Sequence, residues 1–432
     1  MKRRRFIKIA GLAASAFGIG GIDTAMAADS DVQGQTDLSR SPQNTAPAQP
    51  FVPAFDQTRF ERKLADFEPS FYSVRVGRKN DARGIGHGWY DRLKILHISD
   101  THQYNALIEE AVTLAQGRCD VICNTGDDGN GSEKVGRERS LEWLGKAANA
   151  VRGSNAANVP YLAVKGNHDI CNILRSDYRR EIGSLVEGYA VSVVWGSPDA
   201  MFGHYDVKVN DSIGTVRFLM LDPFDYEDGQ FPAKRSFMTC TFSQAQIDWL
   251  VATLRDAAEK GCKVITLMHY SFGDNSIEFS ETEAKPDAES YQDPFLVPDI
   301  IDAFQHGTAL KKLYPDSRGI QDIRVNIAPS GPKLEYVCHL FGHIHSKNQY
   351  RCRKPDGSKD YDMLMLGEAA LGAYGNALNK AYRYPNSVND IACSVLEVDT
   401  VEKCIYRVSY GSYMPYDATP VSRITKIPYR MQ

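Results

Sequence analysis

The sequence has no long unbroken apolar run. The apolar stretch from Ile9 to Ile22 is interrupted by Gly11, Gly18, Gly20 and Gly21, and a bilayer span needs about 20 consecutive apolar residues, so no transmembrane span is expected to remain. Strong charge of either sign is also missing: 50 Lys and Arg stand against 54 Asp and Glu, a formal net charge of -4. Duplex nucleic acid, held mainly through its phosphates, is therefore a disfavoured partner. Nor is there a disulfide framework, because the nine cysteines are odd in number and irregularly spaced. Cys119 and Cys123 bracket a strand-like run and read as small buried hydrophobes. Cys352, Cys393 and Cys404 lie in the C-terminal part, where a bridge is conceivable in an oxidising compartment, with no pair singled out.

At the N-terminus, Lys2-Arg3-Arg4-Arg5-Phe6-Ile7-Lys8, the apolar stretch and the small-residue site Ala25-Met26-Ala27 together make an export signal. Residues 1–27 are expected to be cleaved, leaving a periplasmic or extracellular protein. The Arg3-Arg4 pair and its flanks resemble the twin-arginine transport signal, which implies passage across the membrane in the folded state. Residues 28–55 are rich in Ser, Gln, Thr, Ala and Pro and read as a disordered tether. Residues 56–90 read as an N-terminal cover: a charged, helical piece from Arg59 to Phe67, then an alternating, strand-like Phe71 to Val76.

From residue 91 to 432 strands and helices alternate, as in layered α/β domains. Strands are expected at Leu93 to Ser99, Val121 to Asn124, Tyr161 to Lys165, Ala190 to Val194, Phe202 to Val209, Val216 to Leu221, Val264 to Met268 and Tyr336 to Phe341. Helices are expected at Tyr104 to Gln116, Glu133 to Val151 and Ala245 to Glu259, the last opened by a capping box of Ser243 and Gln246. The interval 270–342 exceeds what one helix needs and carries an acidic stretch from Glu278 to Asp293. It reads equally well as a substrate-covering insertion or as a solvated loop.

Five stretches place Asp, Asn or His just beyond the C-terminal ends of these strands, where open α/β sheets usually put their sites. In Asp100-Thr101-His102, an extended segment points residues two apart the same way, so a carboxylate and an imidazole converge on one cation. In Gly126-Asp127 the glycine permits a tight exit, and a carboxylate can bridge two metals; Asp128 is the rival. In Gly166-Asn167-His168-Asp169 the neutral amide oxygen of Asn167 can bind a hard cation while His168 faces the substrate. His269 stands alone, and a lone His is more often a core residue than a ligand. Gly342-His343-Ile344-His345 sets two imidazoles two residues apart.

Together, in this order, the five stretches resemble the calcineurin-like metallophosphoesterase signature, D-x-H, G-D, G-N-H-[DE], a lone His, then G-H-x-H. That resemblance implies a four-layer α/β/β/α sandwich of two mixed β-sheets flanked by helices. It also implies a first metal held by Asp100, His102 and His345, a second by Asn167, His269 and His343, and Asp127 bridging them. His168 and Asp169 become the catalytic pair, His168 serving the leaving oxygen and Asp169 or another acid orienting it. The activity implied is hydrolysis of a phosphate monoester or diester, small-molecule or nucleotide, by a metal-bridging hydroxide. Four imidazoles argue for Mn, Fe or Zn over Ca or Mg.

Softer likenesses are Phe218 to Asp222 and Phe242 to Leu250. Asn130 stands where purple acid phosphatases carry a tyrosine, so an iron-tyrosinate centre is not expected. About 85 residues follow His345, fewer than a nucleotidase-type substrate domain requires, and their strand-like runs are expected to complete the second sheet. The alternatives are a nuclease or nucleotide phosphodiesterase, using the clusters Tyr350 to Arg353 and Tyr382 to Tyr384 for stacking, and a non-catalytic binding protein on the same fold.

Overall fold

The computed structural model describes residues 55–80, 86–131, 135–170, 202–225, 240–273, 293–316, 321–329, 331–344, 347, 349–354, 360–368, 391–411 and 423–430. The expected strand Ala190 to Val194 and the cluster Tyr382 to Tyr384 lie outside the described residues, as does most of the acidic stretch Glu278 to Asp293.

Chain order begins with α1 (Gln57–Val74), β1 (Val76–Asn80), β2 (Gly86–Asp91), β3 (Leu93–Ile98), α2 (Asn105–Ala115), β4 (Val121–Asn124), α3 (Arg137–Ser154) and β5 (Tyr161–Ala163). It continues with β6 (Gly203–Asn210), β7 (Gly214–Met220), α4 (Gln244–Glu259), β8 (Lys263–Leu267), α5 (Leu296–His306), β9 (Leu310–Tyr314) and β10 (Ile323–Ile327). It closes with β11 (Glu335–Phe341), β12 (Gln349–Arg353), β13 (Asp360–Gly367), β14 (Ala392–Asp399), β15 (Cys404–Gly411) and β16 (Ile424–Pro428).

Two six-stranded sheets form the centre, in the orders β16-β15-β14-β3-β4-β5 and β12-β13-β11-β8-β7-β6. Both are mixed. β3, β4 and β5 run parallel while β14 lies antiparallel to β3. β7, β8, β11 and β13 run parallel with antiparallel edges β6 and β12. Their facing sides bury Ile95, Cys123, Leu162, Phe218, Ile265, Leu340 and Leu396 in one core. A second core lies between the first sheet and α1 to α3, and a third between the second sheet and α4 and α5. This is the four-layer sandwich, as expected. No described helix is long and apolar enough to cross a membrane.

Three local expectations are corrected. Phe71 to Val74 is helix and not strand, and β1 begins only at Val76: α1 runs on to Val74, because Phe60, Phe67, Phe71 and Val74 recur at helical spacing and bury one face, with Phe67 and Phe71 stacked at 5.6 Å. Of the three strand-like runs expected there to complete the second sheet, only the one in β13 joins it, beside β12; β14 and β15 extend the first, since every residue of β14 is buried and needs a partner strand on both edges. Only half of the capping box forms. Ser243 Oγ accepts from Gln246 N at 3.0 Å, but the Gln246 side chain instead brackets the backbone of Asp222. Cys352, Cys393 and Cys404, where a C-terminal bridge was conceivable, form no disulfide, and neither does any other described cysteine.

The interval 270–342 contributes α5, β9, β10 and β11, and α5 packs as part of the outer layer. Helix α1 is tied to α2 by the buried Lys63–Glu110 pair at 2.7 Å, and the same carboxylate accepts from Tyr410 Oη on β15 of the first sheet at 2.8 Å.

Glu397 on β14 is fully buried, and neither carboxylate oxygen has a hydrogen-bond partner. Burial pushes its carboxyl from 4.5 up to about 8, against the pull of Lys94 and Arg92. The folded chain thus keeps a proton that the unfolded chain releases, so this group's contribution to stability fades as pH rises from about 4.5 to about 8. Glu397→Gln is expected to raise stability at pH 8 by on the order of a few kcal/mol and to leave it unchanged near pH 4. Denaturant melts at both pH values check this, and an equal effect at both would contradict it.

Candidate metal centre

The sequence stretches converge at one end of the two sheets. Asp100 follows β3, Asp127 follows β4, Asn167 follows β5, His269 follows β8 and His343 follows β11. The first three come from one sheet and the last two from the other. His345 lies outside the described residues.

Asp100 and His102 do not reach one another through extended backbone, contrary to the expectation from residue alternation. Both are left-handed, at φ 53° and 44°, and Gln103, Asp127 and His343 share that conformation. Such backbone is costly outside glycine and persists only where surroundings enforce it. Here the enforcement is visible. Asp100 N, His102 N and Gln103 N donate at 2.9 Å to the carbonyls of Gly126, Asp127 and Asp128, lacing the first two loops together. Asp128 is not a ligand rival but a strut, accepting from Thr101 Oγ1 and Asn124 Nδ2.

Two glycines let the loops close. A Cβ on Gly166 would overlap Asp127 Oδ1, and one on Gly342 would overlap Ser99 Oγ and crowd Asp100.

Asp100, Asp127 and His269 offer ligand atoms that all lie within 4.8 Å of one another, and all three are buried. Asn167 Oδ1 meets His269 Nε2 at 2.9 Å and His343 Nδ1 at 3.0 Å. His343 N in turn donates to the Asp100 carboxylate at 3.1 Å. His102 Nε2 stands 4.0 Å from Asp100 Oδ1. His269 Nδ1 donates to Thr125 O at 2.8 Å, which turns Nε2 inward.

The donor set fits cations. Asp127 Oδ2 is buried and makes no well-formed hydrogen bond, its near neighbour being His269 Nε2 at 3.2 Å. Burial pushes the His269 imidazole down, yet the Asp127 carboxylate reverses this and raises it to about 9. Burial also pushes the Asp127 carboxyl up, and His269 and His168 hold it well below its ordinary value. Burial lifts Asp100 to about 7. Buried acids drawing a proton onto a neighbouring imidazole is what a site with an unmet demand for positive charge does.

His168 projects beside this group. Its N donates to Asp127 Oδ1 at 2.8 Å, its Nδ1 meets Gly131 O at 2.6 Å, and its ring stands edge-on to His102 at 5.1 Å. Asp169 does not orient it. Asp169 Oδ1 accepts from Gly129 N at 2.7 Å, while Oδ2 accepts from Asp127 N at 2.9 Å and Gly166 N at 2.8 Å. Its carboxylate is a loop staple, because three backbone N–H groups compete for it where burial offers no water. Sequence reasoning missed the true orienting groups, Thr125 O and Gly131 O, since every residue carries a carbonyl and nothing in a side chain marks one.

The family follows from comparison. The calcineurin-like phosphoesterase model matches residues 93–347, more than half of the chain. The chain therefore belongs to that family, and it is a phosphate-ester hydrolase. Among solved structures it is similar to a dimetal phosphatase from Danio rerio, at 15% identity, TM-score 0.45, covering 78% of this chain and 100% of that one. It is also similar to a purple acid phosphatase from yellow lupin (Lupinus luteus) seeds, at 11% identity and TM-score 0.41, covering 82% of this chain and 59% of that one. No curated protein sequence matches it.

Proposed function

We infer that the protein is an exported hydrolase of a small-molecule or nucleotide phosphate ester, monoester or diester, working with two metal ions. The observation that carries this is the convergence of Asp127, Asn167, His269 and His343 on one buried place, from two different sheets. Asp100, His102 and His345 would hold one metal, Asn167, His269 and His343 the other, and Asp127 both. The imidazole-rich set favours Mn, Fe or Zn. When bound, such a pair supplies an activated water and charge stabilisation for the phosphoryl oxygens.

The chain's own residues do the rest. With Nδ1–H donating to Gly131 O, His168 exchanges its proton through Nε2. As the P–O bond to the leaving group breaks, Nε2–H passes its proton to the departing oxygen and the ring becomes neutral. The Asp127 carboxylate, bonded to His168 N, fixes the distance between that ring and the centre.

The nuclease alternative loses part of its support. Arg351 is engaged by Asp362 at 3.1 Å and by the carbonyls of Pro428 and Tyr429, and Cys352 beside it is fully buried. Metal-stripped protein reloaded with Mn, Fe or Zn is expected to bind two equivalents and to hydrolyse an aryl phosphate or an aryl phosphodiester. Neither metal nor turnover with any of these would overturn the assignment and favour a binding protein. Export by the twin-arginine route is tested separately. Replacing Arg3 and Arg4 by Lys is expected to leave the protein in the cytoplasm, and unchanged export would refute it.

A further inference from the structure

We propose that Lys165 is a positioning residue for the second metal set, acting through an ion pair with Asp222 that fastens the Gly166–Asp169 loop of the first sheet to the second sheet. This rests on Asn167, His269 and His343 being the ligands named above.

Asn167 and His269 must meet although they are carried by different sheets. The carrier of Asn167 is weak: β5 has three residues and, among the described residues, lies at the sheet edge, paired only with β4. One residue before Gly166, the Lys165 side chain is 2% exposed, and its Nζ lies 2.7 Å from Asp222 Oδ2, which is fully buried. Asp222 sits just beyond the end of β7 and is held by groups of the second sheet and its helix layer. Its N and O are bracketed by the Gln246 side chain at 2.8 and 2.9 Å, and its Oδ1 accepts from Phe224 N at 3.0 Å.

The preceding residue ties the same segment to the strand that delivers His269, through Leu221 N to Leu267 O at 2.8 Å. Lys165 Nζ also lies 5.9 Å from the Phe224 ring centroid; that ring packs on Tyr270 at 5.7 Å, and Tyr270 on His343 at 4.6 Å. One ammonium thus reaches the frames of both imidazole donors to Asn167. A buried charge pair is poor evidence of net stability, since well-packed apolar residues often do as well. Its geometry, fixed on both sides, is what an apolar pair would not reproduce.

The test uses the full chain with Lys165→Met, Lys165→Met/Asp222→Leu, Lys165→Gln and Lys165→Arg, each melted to establish folding and titrated with Mn and Zn. The double variant removes both charges and so separates loss of stability from loss of position. In it, and in Lys165→Gln, one of two metal equivalents is expected to weaken by about 10- to 100-fold, as for other outer partners of metal ligands. Turnover of an aryl phosphate falls with it at limiting metal and recovers at excess metal, while Lys165→Arg retains both equivalents. Wild-type affinity for both metals in a folded double or Gln variant overturns the proposal. A wild-type protein that binds fewer than two metals overturns the ligand assignment instead.

Discussion

Asp127→Ala is expected to lose both metals and all measurable turnover. The carboxylate is buried, its Oδ1 accepts from His168 N at 2.8 Å, and its Oδ2 lies 3.2 Å from His269 Nε2 without a proper hydrogen bond. Alanine removes the carboxylate that the proposed assignment shares between both metal sets and leaves the His269 imidazole without the negative charge that raises it to about 9. Loss of an outer partner costs a metal site about 10- to 100-fold, and loss of the shared ligand should exceed that. Asp127→Asn separates charge from shape, since the amide oxygen can still accept from His168 N; it should lose metal nearly as completely. Metal content after dialysis, read beside a melt that confirms folding, decides the matter. A folded Asp127→Ala protein with wild-type metal would remove the basis of the assignment.

His168→Ala is expected to behave in the opposite way, keeping both metals and losing about 10²- to 10⁴-fold in kcat, the usual worth of a positioned acid or base. Its ring reaches Gly131 O through Nδ1 and lies edge-on to His102, whereas the Asn167 oxygen meets the imidazoles of His269 and His343. The deficit should shrink for an aryl leaving group of low pKa, which departs without a proton, and grow for an alkyl one. Equal losses on both would argue against proton delivery, and loss of metal would make His168 a ligand.

Much of the architecture was readable because it rests on local rules. Strand ends at Asp100, Asp127, Asn167, His269 and His343 were visible as apolar runs giving way to glycine or turn residues, and α4 as an amphipathic run capped by Ser243. The failures were non-local. Phe71 to Val76 alternates as well as any strand over six residues, and only the first sheet's surface decides that Phe67 and Phe71 share a helical face. The sheet chosen by β14 is set by Leu396 and Val398 filling the gap between the sheets, which no pattern within β14 distinguishes from joining the other sheet. Asp169 was given to His168 because they are neighbours in sequence, whereas its carboxylate turns back to three backbone N–H groups.

By itself the sequence determined the identity and order of the candidate ligand side chains and the alternation of strands that carries them, since side-chain chemistry and apolar periodicity are local properties. The tertiary structure alone decided how far apart those side chains stand, which left-handed turns aim them, and which carbonyls and buried ion pairs hold them there. The reason is physical: Asn167 and His269 are 102 positions apart and meet at 2.9 Å, a distance set by two sheets packing on a common core.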